Sequence, residues 1–179
     1  RMSWIYLTSG LFLGWSLGAN DAANLFGTAV GTKMLRFRTA ALVGSAFVVI
    51  EAVAGAQGTT RTLGRLGAID APAGAFMVAL AAAASVVLLL TKIGLPVSIT
   101  QAIVGAIVGW NIYTGRPTDV KTLSQLLSSW LLCPLLAAAI GGLLFLLARA
   151  TMPRWRLHLL EVDAWTRAGL FAAGAFGAF

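Results

Sequence analysis

The sequence predicts an all-α, polytopic membrane protein, and three observations support that fold class. Only 11% of the 179 residues are charged, 59% are hydrophobic, and the mean hydropathy is +0.87. Soluble chains carry about 25% charged residues, so this chain has too few charges to cover a surface in water. Five apolar stretches have the ~20 residues that cross a hydrocarbon core. Backbone groups in lipid must pair internally, so each stretch is predicted to be a helix.

The apolar stretches follow one another along the chain, separated by short polar connections. They span Ser3–Thr32, Thr39–Gln57, Ala71–Thr91, Ile93–Tyr113 and Thr122–Ala148, and a sixth begins near Ala164. The first contains Asp21, the second contains Glu51, and the fifth carries Pro134. The bilayer is therefore an expected partner of most of the chain.

Basic residues predict the orientation, because Lys and Arg accumulate in cytoplasmic loops. If every stretch crosses, the loops after the first, third and fifth stretches hold eight basic residues, and the opposite side holds five. We therefore expect a multi-pass protein of the cell membrane with its N-terminus outside. The net charge of +7 is explained by these loops, and no nucleic-acid partner is expected.

Two carboxylates, Asp21 and Glu51, lie inside apolar stretches. A carboxylate at mid-bilayer depth costs ~3 kcal/mol on insertion scales and is by default a functional-site hypothesis. In the segment GANDAAN, Asn20 and Asn24 are four residues apart and Asp21 and Asn24 three apart, so a helix would place them on one flank. The alternative is that Asp21 or Glu51 only braces helices within a satisfied polar network.

The composition of GANDAAN also predicts its backbone. Gly, Asn and Asp are poor helix formers, so we predict a helix that is broken or unwound near Gly18. Freed carbonyls and the Asp21 carboxylate would then form an oxygen-rich site for a hard cation. The N-terminus of the following half-helix would suit an anion.

A second polar segment, GLPVSITQ, covers Gly94–Gln101. Pro96 lacks an N–H and perturbs a helix, and the apolar helical pattern resumes after Ser98 and Thr100. A helix N-terminus at membrane depth with hydroxyl donors beside free amides suits a tetrahedral oxyanion. The alternative is a proline kink in which Ser98 and Thr100 bond back to the helix backbone.

The sequence argues against an enzyme. Its single histidine, His158, lies in a basic segment, and its single cysteine, Cys133, lies in an apolar stretch. The sequence shows no metal-ligand cluster and no pairing of a nucleophile with a base. We therefore expect no enzyme and no cofactor.

The number of crossings also predicts a repeat. With five crossings, a second copy of the unit would be inserted upside down. GLFLGW at Gly10–Trp15 aligns with GAFGAF at Gly174–Phe179, 164 residues later. We therefore predict that residues 1–163 form a first transmembrane repeat and that 164–179 are the start of a second repeat, truncated at Phe179.

Four segments together resemble the inorganic phosphate transporter (PiT) family. GANDAANLFGTAVG resembles its signature GANDxANxxGTxVG, which opens each of two inverted repeats. GLPVSITQAIVGAIVG resembles the second hallmark, PVSTTHAIVG, and VIEAVAGA resembles the stretch FEFxGA, which places Glu51 at an intramembrane glutamate. GTTRTLGRLGAID is similar to the following segment, which ends in GIID. The resemblance extends from Gly18 to Gly109 in the expected order.

The resemblance implies one repeat of an inverted-repeat secondary transporter with broken helices. It implies symport of inorganic phosphate with Na⁺ or H⁺, and a partner in a second repeat, either in the same full-length chain or in a second copy of a homodimer. By matching positions, the implied substrate ligands are Asn20, Asn24, Ser98, Thr100 and Gln101. The implied cation ligands are Asn20, Asp21, Asn24 and Glu51, with Na⁺ at Asp21.

Two departures from the family pattern leave alternatives open. Gln101 stands where the family usually has His, which removes a titratable group, and Ile99 replaces a Thr, which removes a hydroxyl donor. A permease for sulfate or another tetrahedral oxyanion is therefore an alternative. A second alternative is a membrane subunit that transports nothing and whose polar residues only hold helices together.

Overall fold

The structure is a computed structural model that describes most of the chain. It describes residues 4–67, 69, 71–94, 97–151 and 159–178. For residues 19–24, 56–57, 90–93, 159 and 174–178 it describes the backbone alone. The described residues form helices and short connections without a strand, which confirms the all-α prediction.

In the described part of the chain, seven α-helices follow a short 3₁₀ turn at Trp4–Tyr6. They are α1 (Leu7–Gly31), α2 (Phe37–Ala54), α3 (Ala56–Leu66), α4 (Pro72–Ile93), α5 (Ile99–Thr114), α6 (Val120–Thr151) and α7 (Leu159–Ala178). Among the described residues, the apolar segments of α2, α4 and α6 are long enough to cross a membrane. The described residues of the five predicted stretches and of the start of the sixth are mainly helical, and residues 56–66, most of which lie between the second and third predicted stretches, also form a helix, α3.

The predicted break near Gly18 is wrong, because α1 is a continuous helix from Leu7 to Gly31. A Gly or Asn inside a helix costs up to about 1 kcal/mol relative to Ala. Each backbone group left unpaired in hydrocarbon costs several kcal/mol. Continuing the helix through GANDAAN therefore costs less free energy than breaking it and leaving backbone groups unpaired.

The helix does break at the second polar segment. The sequence leaves open whether Ile93–Tyr113 crosses fully or forms a re-entrant hairpin; in the structure, Ile93 ends α4 and α5 begins at Ile99. Gly94, the first residue after α4, has a φ of +70°, which glycine adopts without strain. With 16 residues, α5 is about 24 Å long and shorter than the ~30 Å hydrocarbon core.

Helix α4 is the centre of the packing, because both α1 and α5 pack along it. Its buried face is made of small side chains, including Ala82 and Ala83. Gly74 lies so close to α5 that an added Cβ would be 2.8 Å from the Trp110 ring. Small residues allow this close approach, which is what holds helices together where lipid removes the hydrophobic driving force.

Two apolar clusters complete the fold. The first joins α1 and α2 through Phe26, Ala29 and Ala40, and α7 adds Leu170 and Phe171. The second cluster joins α3, α4 and α5, and the first turns of α6 pack against it. Its buried members are Leu66, Val78, Val104 and Ile107. Beyond these first turns, α6 is exposed along its length in the described part of the chain.

A buried asparagine ties three helix ends together. Asn111, which is 0% exposed, donates from Nδ2 to the Leu66 carbonyl at 3.3 Å and to the Thr118 hydroxyl at 2.9 Å. The backbone N–H of Asp119 donates to the same Leu66 carbonyl at 3.3 Å. These bonds join the end of α3, the last turn of α5 and the start of α6.

Asp119 caps α6. Its Oδ1 accepts from the Lys121 N–H at 3.0 Å, and the Thr122 hydroxyl donates to Oδ2. The Thr122 hydrogen bond lowers the pKa of Asp119 below its ordinary value, with further lowering by the Lys121 and Thr122 backbone N–H groups and the Lys121 charge, and partial opposition from desolvation. The carboxylate form is therefore the one that stabilises the start of α6.

We expect Gly67→Ala to destabilise the protein by about 1–3 kcal/mol. An added Cβ at Gly67 would lie 2.5 Å from both terminal atoms of Asn111, so the asparagine would have to move away from its partners. The measurement is the thermal unfolding midpoint of the purified protein in detergent. Gly64→Ala in α3 is the control, because a Cβ there meets nothing within 4 Å. Equal midpoints for the two variants would contradict the prediction.

We expect acid to remove the stabilisation that Asp119 provides. Its pKa in the folded protein is lowered, so its contribution is present above the unfolded-state pKa of about 4 and is lost as the pH falls through the folded-state pKa. The difference in unfolding midpoint between the wild type and Asp119→Asn should therefore shrink as the pH is lowered from neutral through the folded-state pKa of Asp119. A difference that stays constant over this range would show that the charge of Asp119 contributes nothing.

Candidate functional site

The N-terminus of α5 is the first component of the site. Ser98 is the N-cap of α5, with extended backbone angles, and its Oγ accepts from the Gln101 N–H at 3.4 Å. The other amides of the first turn have no acceptor within the helix, and the helix dipole places positive potential there. The predicted helix N-terminus is therefore present, and it follows a true break between α4 and α5 rather than a kink. Pro96 itself lies outside the described residues.

A cavity of about 380 Å³ opens beside this helix N-terminus. Its lining comes from α4 and from the beginning of α5: Ser85, Val86, Leu89, Val97, Ser98, Gln101 and Ala102. Three of these side chains are polar, and all three are neutral. Such a lining offers hydroxyl and amide donors without fixed charge, which suits an anion that must bind and leave.

The length of α5 relates the level of the cavity to that of two aromatic side chains. Ser98 is about 20 Å along the helix axis from Asn111, at about 1.5 Å per residue. Trp110 and Tyr113 flank Asn111, and their rings contact each other with centroids 5.8 Å apart. Trp and Tyr mark the headgroup level of membrane proteins. If that end of α5 lies in the headgroups, Ser98 lies inside the hydrocarbon core and short of the opposite face.

Only some of the described residues of GLPVSITQ line the cavity. Ser98 and Gln101 line the cavity, whereas Thr100 is exposed on another flank of α5 and does not line it. Ile99 is buried, at 4% exposed, and also does not line the cavity. The missing hydroxyl at Ile99 therefore removes no donor from this cavity.

The second component is the segment GANDAAN. Its backbone lies within α1, but the side chains of Asn20, Asp21 and Asn24 lie outside the described part of the structure. A groove of about 490 Å³ between α1 and α2 reaches Gly18 and is lined on the α2 side by Ser45 and apolar residues. Gly18 is the first residue of GANDAAN, so this groove reaches the segment that carries the predicted cation ligands.

Glu51 lies in the last turn of α2 and is half-buried. Its backbone carbonyl accepts from the Gly55 N–H at 2.7 Å, which ends the helix. Phe26 of α1 contacts Gly44 of α2, and the two helices are joined by a short connection that makes them antiparallel. Because the helices are antiparallel, moving forward along α2 from Gly44 corresponds to moving back along α1 from Phe26. Glu51 is as many residues from Gly44 as Ala19 is from Phe26. Glu51 therefore lies at about the same level along the helix axes as the start of GANDAAN.

Two serines near the site were missed by the sequence analysis. Ser85 lines the cavity from α4, and its hydroxyl donates to the Ala81 carbonyl at 2.7 Å. Ser16 lies one turn before Asn20 on α1, is 1% exposed, and its hydroxyl has no hydrogen-bond partner among the described residues. Ser85 is the only polar side chain between Ala71 and Leu90, a signal that could have identified it.

Helix α4 connects the two components. It packs against both α1 and α5, whereas α1 and α5 have no extensive contact with each other in the described part of the chain. The structure therefore brings Ser98, Gln101 and Ser85 together and leaves GANDAAN on a helix that reaches them only through α4.

Comparisons with known proteins identify the family of the chain. A sequence profile described as the phosphate transporter family matches residues 17–173. No solved structure gives a significant match to the chain.

Individual relatives carry related names. The sodium-dependent phosphate transporter of Plasmodium falciparum is 30% identical over 166 residues, covering 86% of this chain and 25% of the relative. A protein of Pyrococcus horikoshii named as a phosphate permease is 34% identical over 175 residues, covering 91% of this chain and 43% of the relative. The chloroplastic inorganic phosphate transporter 2-1 of Arabidopsis thaliana is 30% identical over 155 residues, covering 80% of this chain and 26% of the relative.

The chain thus spans between 25% and 43% of the length of these relatives. The profile match includes both polar segments, GANDAAN and GLPVSITQ, and all helices from α2 to α6. A match over this much of the chain shows that the chain belongs to the phosphate transporter family.

Proposed function

We propose that the protein is a secondary active transporter that carries inorganic phosphate in symport with Na⁺ or H⁺. The observation that supports this most directly is the cavity at the N-terminus of α5, lined by Ser85, Ser98 and Gln101. It combines neutral hydrogen-bond donors, the positive end of a helix dipole and a position at membrane depth. Membership of the phosphate transporter family and the names of the relatives suggest phosphate as the oxyanion.

Charge balance explains why transport would need a coupling ion. An oxyanion that enters hydrocarbon without compensation is very costly. The described side chains that line the cavity include no Lys or Arg, and neutral donors do not cancel the charge of an anion. Asp21 and Glu51 would bind cations, which would offset part of the negative charge of the carboxylates and of the anion. We propose Asn20, Asp21, Asn24 and Glu51 as the cation ligands, with Na⁺ at Asp21.

The identity of the coupling ion follows from the chemistry of the ligands. An amide such as Gln101 does not titrate, so proton coupling would require Asp21 or Glu51. Na⁺ prefers the oxygen ligands that Asp, Asn and Ser provide, and Ser16 adds a buried hydroxyl one turn from Asn20. One relative is named as sodium-dependent, which supports Na⁺ ahead of H⁺.

A second repeat would complete the transport site. The cavity has three polar side chains, and a multiply charged oxyanion needs more donors than these. Alternating access also needs one repeat to move against another around a shared site. We propose that an inverted second repeat, in the same full-length chain or in a second copy, supplies the missing donors and the moving partner.

The test is uptake of labelled phosphate by liposomes that contain the full-length protein. We expect saturable uptake that depends on an inward Na⁺ gradient, falls when K⁺ replaces Na⁺, and is weakly inhibited by excess sulfate. Asp21→Asn should abolish ion-coupled uptake, because the replacement is isosteric but has no charge to hold the cation. Membrane insertion and the unfolding midpoint of this variant should be unchanged.

Each arm of this experiment has a contradicting outcome. Absence of uptake under both Na⁺ and H⁺ gradients would favour a subunit that transports nothing. Equal inhibition by sulfate and by unlabelled phosphate would favour a general oxyanion permease. Wild-type uptake by Asp21→Asn would remove Asp21 from the cation site.

We expect Ser98→Ala to weaken phosphate binding more than Na⁺ binding. The variant removes a hydroxyl that lines the cavity, and loss of one such partner costs roughly 1–3 kcal/mol, or about five- to 150-fold in affinity. Thr100→Ala should have a smaller effect, because Thr100 is exposed on another flank of α5. The measurement is the apparent affinity for each ion in the uptake assay.

Ser128→Ala is the matched control for this series. Ser128 is exposed on α6, its hydroxyl donates to the Ser124 carbonyl at 2.7 Å, and it is not among the residues that line the cavity. An unchanged phosphate affinity in Ser98→Ala would show that Ser98 serves only as the cap of α5. An equal loss in Ser128→Ala would attribute the effect to general damage to the membrane domain.

A further inference from the structure

Helix α3 lies between two segments that are able to cross a membrane. It spans Ala56–Leu66, directly after α2 and shortly before α4, and both of these helices contain apolar segments long enough to cross. Its sequence, AQGTTRTLGRL, contains two arginines and no acidic residue. A helix of this polarity is excluded from hydrocarbon, so α3 lies at one face of the bilayer.

The protein itself takes up the apolar side chains of α3. Leu66 is 0% exposed and Leu63 is half-buried, and both pack with the second cluster between α3, α4 and α5. Arg61 and Arg65 are exposed and lie one turn apart, so they are neighbours on the helix surface. Within the described residues neither guanidinium is paired with a carboxylate.

The depth of α3 follows from its bond to α5. The Leu66 carbonyl accepts from Asn111, which lies between Trp110 and Tyr113 on α5. Tyr113 is 83% exposed, so its ring is free to lie among lipids. Trp and Tyr rings concentrate at the headgroup level, and the Asn111 bond holds the end of α3 at the level of these rings.

We propose that α3 is a lipid-binding helix, on which Arg61 and Arg65 bind the phosphate group of an anionic phospholipid in the adjacent leaflet. Guanidinium groups bind phosphate oxygens in pairs, and two such groups one turn apart can share one headgroup. Each basic residue near an anionic membrane surface strengthens binding by about fivefold. This inference is independent of the transported substrate.

Charge complementarity and position favour lipid over other occupants. The neighbours of α3 in the chain are apolar helices, so lipid headgroups surround this level of the protein. Inorganic phosphate would use the same guanidinium chemistry, and a second copy or a further segment of a longer chain could cover the same face. The experiment therefore separates these three sources.

The first arm measures lipid affinity. The full-length protein in a neutral detergent is titrated with phosphatidylglycerol or phosphatidylcholine, and the unfolding midpoint is followed. We expect stabilisation by phosphatidylglycerol alone, with an affinity that falls about 30-fold in the double variant Arg61→Gln, Arg65→Gln. The double variant Arg61→Lys, Arg65→Lys should retain most of the affinity, because it keeps both charges.

The matched control is the double variant Arg36→Gln, Arg38→Gln. It removes the same amount of positive charge at the other end of α2. An equal loss of phosphatidylglycerol affinity in this control would show that affinity depends only on the net charge of the protein, and would overturn the proposal. Unchanged affinity in the Arg61, Arg65 glutamine variant would also overturn it. Displacement of the lipid by an excess of inorganic phosphate would identify a site for the soluble anion instead.

The second arm locates α3 directly. Cys133 is the only cysteine and is exposed on α6, so Cys133→Ser allows a single spin label at Thr62→Cys. In nanodiscs of phosphatidylcholine and phosphatidylglycerol, we expect collision with relaxation agents to place this label at headgroup depth. A label shielded from both water-soluble and lipid-soluble agents would show that protein covers α3, and would overturn the proposal.

Discussion

The pairing of backbone N–H and C=O groups is the constraint on which the rest of this structure depends. In a hydrocarbon environment an unpaired backbone group costs several kcal/mol, so the chain remains helical even through residues that disfavour helices. Helix α1 shows this effect, because it continues without interruption through GANDAAN. The backbone leaves the helix between α4 and α5, where Gly94 turns the chain and Ser98 caps the next helix. The unpaired amides of that new N-terminus are what make an anion site possible at this depth.

Packing on α4 converts that local break into a cavity. Small side chains such as Ala82 and Ala83 allow the neighbouring helices to approach α4 closely. Asn111 fixes the opposite end of α5 to the end of α3, so the short helix cannot slide along α4 to bring Ser98 to the membrane surface. The position of the Ser98 N-cap is therefore set by contacts about 20 Å away from it.

The distribution of charge gives the site its chemical character. The cavity at α5 is lined by neutral donors, and the two carboxylates within the apolar stretches, Asp21 and Glu51, belong to α1 and α2. Anion donors and candidate cation ligands are thus on different helices, linked by α4. The basic residues of α3 are at the end of the molecule where Asn111 anchors α5, well away from Ser98 along the helix axis. The described lining of the cavity holds no fixed positive charge, which would favour the release of a bound anion.

The sequence by itself determined the all-α membrane class, the approximate helices and the two polar segments, because these depend on composition, apolar run length and local residue chemistry. It also identified the family through GANDAAN and GLPVSITQ. The tertiary structure alone decided that α1 is unbroken, that residues 56–66 form a helix, and that Ser85 joins Ser98 and Gln101 around one cavity. It also separated Thr100 from that cavity. The physical reason is that helix propensity and motif spacing are local properties. The depth of a helix end, and the side chains that meet across it, depend on how neighbouring helices pack.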